Sequence, residues 1–260
     1  MLNDKICVDL HCQDADQAIS LARLYRACSH TVQLGPALLA SEGARVVRQL
    51  QTVNATEMIL DVRLVGTADE VSEAVTAAAH FAGMRGITVA VDYTSPTNLS
   101  AAVTAAAVSK VITGHVNPPR IIAYDPELAK HTGASKYARA KRIRKLINAC
   151  AAAKVHATIL AFENVPLLRA HDMRMRLFVR ADRKAHDYTK VIPENVRRKP
   201  GVYEILAGGA DYVIFDTSFA TGCDEEWEAD LLKKELDAWK REAGRHYVLN
   251  VSHQLLFDQE

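Results

Sequence analysis

The residues with most chemical leverage in this sequence are aspartates set inside apolar runs. Asp9 stands in ICVDL and Asp61 in MILDV, where a carboxylate is costly unless it is paired or put to use. Arg63 follows Asp61 by two positions and so offers a counter-ion on the same side of an extended chain. Asp61 and Arg63 are the candidate catalytic residues, as an acid–base or electrostatic group and an anion stabiliser; the competing reading is a scaffold ion pair. His11 follows Asp9 by two positions, and the two could form a small acid–base pair. Gln33 in TVQL, Asp92 at the end of ITVAVD, and Thr217 and Ser218 after YVIFD complete a set of polar residues that terminate apolar runs. The segment RADRKAHDYTK adds Arg180, Arg183, Lys184 and Lys190, cations suited to phosphate oxygens. Asp182 and Asp187 dilute that charge, and a solvated surface loop is the plain alternative. Asp9, His11, Gln33, Asp92, Arg183, Lys184, Thr217 and Ser218 are therefore the candidate substrate-binding residues.

Such residues act together only if a fold gathers them. Short, continuous, partly β-branched runs predict strands at Ile6–Leu10, Thr31–Leu34, Met58–Val62, Ile87–Val91, Arg120–Tyr124, Thr158–Phe162, Arg176–Val179 and Tyr212–Phe215. Amphipathic or alanine-rich stretches between them predict helices at Asp14–Ala27, Pro36–Gln51, Asp69–Phe81, Thr97–Ser109, Ser135–Ala153 and Asp224–Ala243. Alternating strands and helices form an open doubly wound sheet or a closed barrel. The even spacing, the count of eight strands and the lack of GxGxxG after the first favour an α/β closed (β/α)8 TIM barrel. Residues 1–260 then form a single domain, with 246–260 an apolar carboxyl-terminal tail that closes the barrel bottom or meets a neighbouring subunit. In a barrel the carboxyl ends of the strands converge on one mouth, where every candidate residue above would lie.

Composition narrows the partners. A net charge of +1 gives no reason to expect nucleic acid or an anionic membrane. The basic stretch KYARAKRIRK reads as a solvated helix face, since no aromatic platform accompanies it. The five cysteines form no CxxC pair, as expected of reduced thiols in the cytoplasm. No run of apolar residues is long enough to span a membrane, and the chain opens without a leader pattern. His80, His115, His131 and His246 show no HxH or HExxH spacing, so neither metal nor cofactor is expected.

The segments ICVDLHCQDADQAISLARLY, TVQLGPALLASEGARVVRQL and MILDVRLVGTADEVSEAV, with KVIPENVRRKPGVYEILAGGADYVIFDTSF near the end, resemble the orotidine 5'-phosphate decarboxylase superfamily. That superfamily also holds hexulose-phosphate synthases and ketogulonate-phosphate decarboxylases. The order and spacing of the segments carry the resemblance across most of the chain. It implies a dimeric barrel, with 67–71 reaching across the interface, that acts on a small phosphorylated metabolite. The family's Lys–Asp–Lys–Asp array maps onto Gln33, Asp61, Arg63 and Gly66, and only Asp61 is unchanged. A guanidinium does not readily give up a proton, so Arg63 cannot replace the proton-donating lysine. Gln33 and Gly66 are poor stand-ins for the synthases' magnesium-binding carboxylates, and the decarboxylases' closing Gly–Arg reads Asp216–Thr217 here. The expectation is thus a divergent carbon–carbon lyase or related enzyme on a phosphorylated sugar or nucleotide, not an orthodox orotidylate decarboxylase. The alternative is a catalytically inactive barrel that binds a phosphorylated ligand or a partner protein.

Overall fold

The structure is a computed structural model. It describes residues 5–12, 14–53, 57–81, 86–92, 96–113, 118–130, 133–181, 201–217, 229–230, 232–234, 236–237 and 240–241. Eight parallel strands close on themselves in chain order: β1 (Ile6–Leu10), β2 (Thr31–Leu34), β3 (Glu57–Leu64), β4 (Gly86–Asp92), β5 (Arg120–Tyr124), β6 (Ala157–Leu160), β7 (Arg176–Ala181) and β8 (Tyr212–Asp216). β8 returns to β1 with Asp9 opposite Asp216. The predicted closed barrel is therefore the fold.

Alternation along each strand divides the core in two. On β1, Ile6, Val8 and Leu10 face outward into a large apolar layer shared with the helices. Cys7 faces inward and joins Ile59, Ile122, Tyr124, Ile159 and Ile214 in a smaller cluster on the barrel axis. β1 and β2 are buried at every position, which is why they read as unbroken apolar runs.

The helices are α1 (Ala15–Leu24), α2 (Pro36–Glu42), α3 (Ala44–Thr52), α4 (Ala68–Phe81), α5 (Pro96–Thr113), α6 (Lys136–Ala153), α7 (Val165–Arg169) and α8 (Val202–Ala207). Local chemistry sets their ends. The Asp14 side chain caps α1 by accepting from Gln17 N–H at 2.8 Å, and Ser135 caps α6 by accepting from Ala138 N–H at 3.2 Å. Leu232 and Leu236, in helical residues between 229 and 241, are buried, as expected of two residues four apart on one helical face.

Two of the departures from the sequence reading have a clear local cause. The helix expected over Pro36–Gln51 breaks at Gly43, whose φ of 55° ends α2 and opens α3. The strand expected over Thr158–Phe162 stops at Leu160, because Phe162–Asn164 wind into a 3-10 turn that leads into α7. The tail 246–260, and the residues Arg183, Lys184 and Ser218, lie outside the described residues.

Candidate active site at the barrel mouth

The inward positions at the carboxyl ends of the strands form a compact charged cluster. Asp9 from β1, Gln33 from β2 and Asp61 from β3 are all buried. Gln33 joins the two carboxylates: its Nε2 donates to Asp9 Oδ2 at 3.0 Å and to Asp61 Oδ2 at 3.1 Å. The amide is oriented by that pairing, since turning it over would set its carbonyl oxygen against the carboxylate oxygens. Its Oε1 is left buried without a partner among the described residues.

The expected ion pair of Asp61 with Arg63 is present. Arg63 donates through Nε to Asp61 Oδ1 at 3.1 Å and through Nη2 to Oδ2 at 2.9 Å, the bidentate geometry that suits guanidinium and carboxylate. Simple alternation does not produce it. The β3–β4 register shifts between Leu60 and Leu64, and Arg63 has a φ of 46°. An L-residue in this left-handed region costs about 1–2 kcal/mol. The irregularity folds the guanidinium back over Asp61 and sets its central carbon 4.9 Å from the centre of the Tyr124 ring. The Arg63 side chain stays 41% exposed while that of Asp61 is 3% exposed.

Arg180 on β7, read from the sequence as a strand-end residue and as a cation of the following loop, was not among the candidate site residues. It donates through Nη1 to Asp9 Oδ2 at 2.5 Å and through Nη2 to Asp61 Oδ2 at 3.1 Å. Its Nη1 also lies 3.9 Å from Asp216 Oδ2. The signal available in the sequence was parity: Arg176, Phe178 and Arg180 alternate along one strand, and an inward arginine near an inward aspartate is its natural counter-ion.

These contacts give the two buried aspartates different capacities. Asp61 receives four donated bonds, three on Oδ2 from Gln33, Arg63 and Arg180 and one on Oδ1 from Arg63, so both of its oxygens are held. Asp9 receives two, both on Oδ2, so Oδ1 has no partner among the described residues. Burial pushes the Asp9 carboxyl above the usual carboxylate range. Arg180 opposes that shift, while Asp216 and Asp61 add to it. Burial alone would lower the Arg180 value, but Asp9 and Asp61 outweigh it and hold the guanidinium charged.

Other candidates fall differently. His11 is exposed and enters through its backbone N–H, which donates to Thr217 Oγ1 at 3.2 Å. The Thr217 hydroxyl donates in turn to the Asp9 carbonyl at 2.8 Å, so Thr217 clasps the ends of β8 and β1 and fixes the backbone of Asp9. Asp92 ends β4, but its side chain lies outside the described residues. Asp125 and Glu163, at the ends of β5 and β6, serve the scaffold: Arg142 pairs with Asp125 at 2.5 Å and Arg139 with Glu163 at 3.0 Å. Among the described residues no group of three or more His, Cys, Asp or Glu gathers as a metal site.

No family model matches the chain, and no curated protein matches it. Solved structures do. An orotidine 5'-phosphate decarboxylase from Pyrococcus horikoshii OT3 is similar with a TM-score of 0.66 at 14% identity, over 89% of this chain and 99% of that one. An uncharacterized conserved protein from Geobacillus kaustophilus is similar with a TM-score of 0.61 at 15% identity, over the same shares of the two chains. At such identity the likeness is one of fold, and the chain is an orotidine 5'-phosphate decarboxylase-like barrel in that sense. No helix among the described residues is long and apolar enough to cross a membrane.

Proposed function

We propose that this barrel is an enzyme that makes or breaks a carbon–carbon bond in a small phosphorylated sugar or nucleotide. The supporting observation is the asymmetry between Asp9 and Asp61. Asp61, held on both oxygens by four donated bonds, acts as a fixed negative anchor. Asp9, whose Oδ1 has no partner among the described residues and whose proton affinity is raised by burial, carries the proton. Asp9 thus takes the acid–base part that the sequence alone assigned to Asp61.

When a carboxylate on the carbon beside a carbonyl leaves as carbon dioxide, the electron pair of the broken bond passes into an enolate. Arg63, exposed enough at 41% to meet ligand and with Nη1 unpartnered among the described residues, stabilises the enolate oxygen. Asp9 then gives its proton to the carbon, and the carboxylate that forms is held by Arg180 and Gln33. Arg63 takes no part in the proton transfer, since its guanidinium remains charged throughout.

The test is a panel of sugar phosphates and pyrimidine nucleotides scored by melting temperature and by substrate consumption. A true ligand raises the melting temperature as it saturates the site. Asp9→Asn should keep that rise and lose turnover, whereas Arg63→Met should lose both. If no compound stabilises the protein and none is consumed, the catalytic reading fails.

A further inference from the structure

At the end of the barrel opposite the mouth, the starts of β5, β6 and β7 meet the middle of α5 and the residues that follow α6 around a hollow. Its wall is apolar, with Val103, Ala106 and Pro119 among the lining residues. Among the described residues, every ionisable side chain that lines it is basic: Arg120, Lys154, His156 and Arg176. That excess is local, because the chain as a whole carries only +1.

Arg120 is the first residue of β5 and Arg176 the first of β7, so they flank the start of β6 from both sides. Strand spacing sets their backbones roughly 10 Å apart, a span that two arginine side chains can close on one ligand. Arg120 pairs with Glu57 at 2.9 Å. Arg176 and Lys154 have no side-chain partner among the described residues. Lys154 sits at the carboxyl-terminal cap of α6 with φ 59° and ψ 34°, a left-handed position that glycine fills at lower cost. The α6 dipole favours a cation there, but it does not account for arginines at the starts of two strands.

We propose that this hollow is a second binding site, distinct from the mouth, for a phosphate monoester with an apolar body. The apolar part would rest against Val103, Ala106 and Pro119. The head group would be held by Arg176, Lys154 and Arg120. With Glu57 offsetting one of those three cations, the remaining charge matches a dianionic phosphate.

Calorimetric titration of the full chain with phenyl phosphate, benzoate and inorganic phosphate tests this. Phenyl phosphate should bind about tenfold tighter than either of the others, as expected when both head and body contribute. Arg176→Ala should weaken it about tenfold. Lys154→Gly should weaken it too while leaving the melting temperature unchanged or higher, a combination that a purely helix-capping lysine would not give. Arg63→Gly, at the mouth, should leave this binding intact. The proposal is overturned if phenyl phosphate does not bind saturably, or if either inorganic phosphate or benzoate binds as tightly. It is overturned equally if Arg63→Gly abolishes binding while Arg176→Ala and Lys154→Gly retain it.

Discussion

The guanidinium of Arg180 donates to the Asp9 carboxylate over 2.5 Å, although 171 positions separate the two residues in the chain. The contact reaches past β8 across the interior of the barrel, and the same guanidinium also holds Asp61. Removing it takes one of two counter-ions from buried Asp61 and a hydrogen-bond donor from buried Asp9. Arg180→Met should therefore lower the unfolding free energy by about 3–5 kcal/mol. Arg63 is more exposed and sits in a costly backbone region, so Arg63→Gly should change it by no more than about 1 kcal/mol. Urea denaturation of both variants checks the contrast. Equal losses would assign Arg63 to the scaffold.

The Asp9 carboxyl should leave a mark on stability as pH varies. Its folded value lies above the ordinary 3.8 because of burial, despite the pull of Arg180. The folded chain keeps a proton that the unfolded chain has already released. This contribution is full below the unfolded value and is lost as pH rises through the folded one. Urea midpoints from about pH 4 to about pH 8 should fall more steeply for the wild type than for Asp9→Asn. Parallel curves would mean that Asp9 carries no extra proton.

Four cysteines should be inert in the folded protein. Cys7, Cys12, Cys28 and Cys150 are free and buried. Burial is the main cause that pushes Cys12 and Cys28 to about 11 and Cys150 to about 12, and it raises Cys7 well above the ordinary thiol value. In a Cys223→Ala background, a thiol reagent at about pH 8 should label these four only after denaturant is added. Prompt labelling of the native protein would show that one of them opens to solvent.

Orotidine 5'-phosphate should not be decarboxylated above background. Gln33 and Arg63 stand where the resembling family has lysines, and neither an amide nor a guanidinium readily gives up a proton to carbon. Steady loss of the orotidylate absorbance without added metal would overturn this expectation.

We further propose that the chain forms a homodimer, as the resemblance implies, burying more than about 1,000 Å² in total. Sedimentation at micromolar concentration should give twice the monomer mass. A monomer would remove the partner subunit from any account of the mouth.

The barrel was legible because its strands are apolar on both faces and its helices carry periodic outward polarity. β1, β2 and β5 occupy the expected bounds. The short helices α7 and α8, of five and six residues, lack the length for a periodic signal. Asp9, Gln33 and Asp61 were legible as inward polar residues near strand ends. Their pairing was not, because Arg180 lies on a strand that adjoins neither β1 nor β3. Local spacing points from Asp61 to Arg63, while closure of the sheet supplies the counter-ion of Asp9. The same limit hid the clasp made by Thr217, whose hydroxyl looked free for ligand but is committed to the Asp9 carbonyl.

The inner apolar cluster of Cys7, Ile59, Ile122, Tyr124, Ile159 and Ile214 works as an insulator between the two ends of the barrel. A strand rise of about 3.3 Å per residue separates Glu57 from Asp61 along β3 by roughly 13 Å. Each end also pairs some of its charge locally, Glu57 with Arg120 and Asp61 with Arg63 and Arg180. Substitutions at one end should then be energetically silent at the other. Selection can rewrite the chemistry of the mouth while the opposite rim keeps its own history, which is one route by which a single barrel acquires unrelated tasks at its two openings.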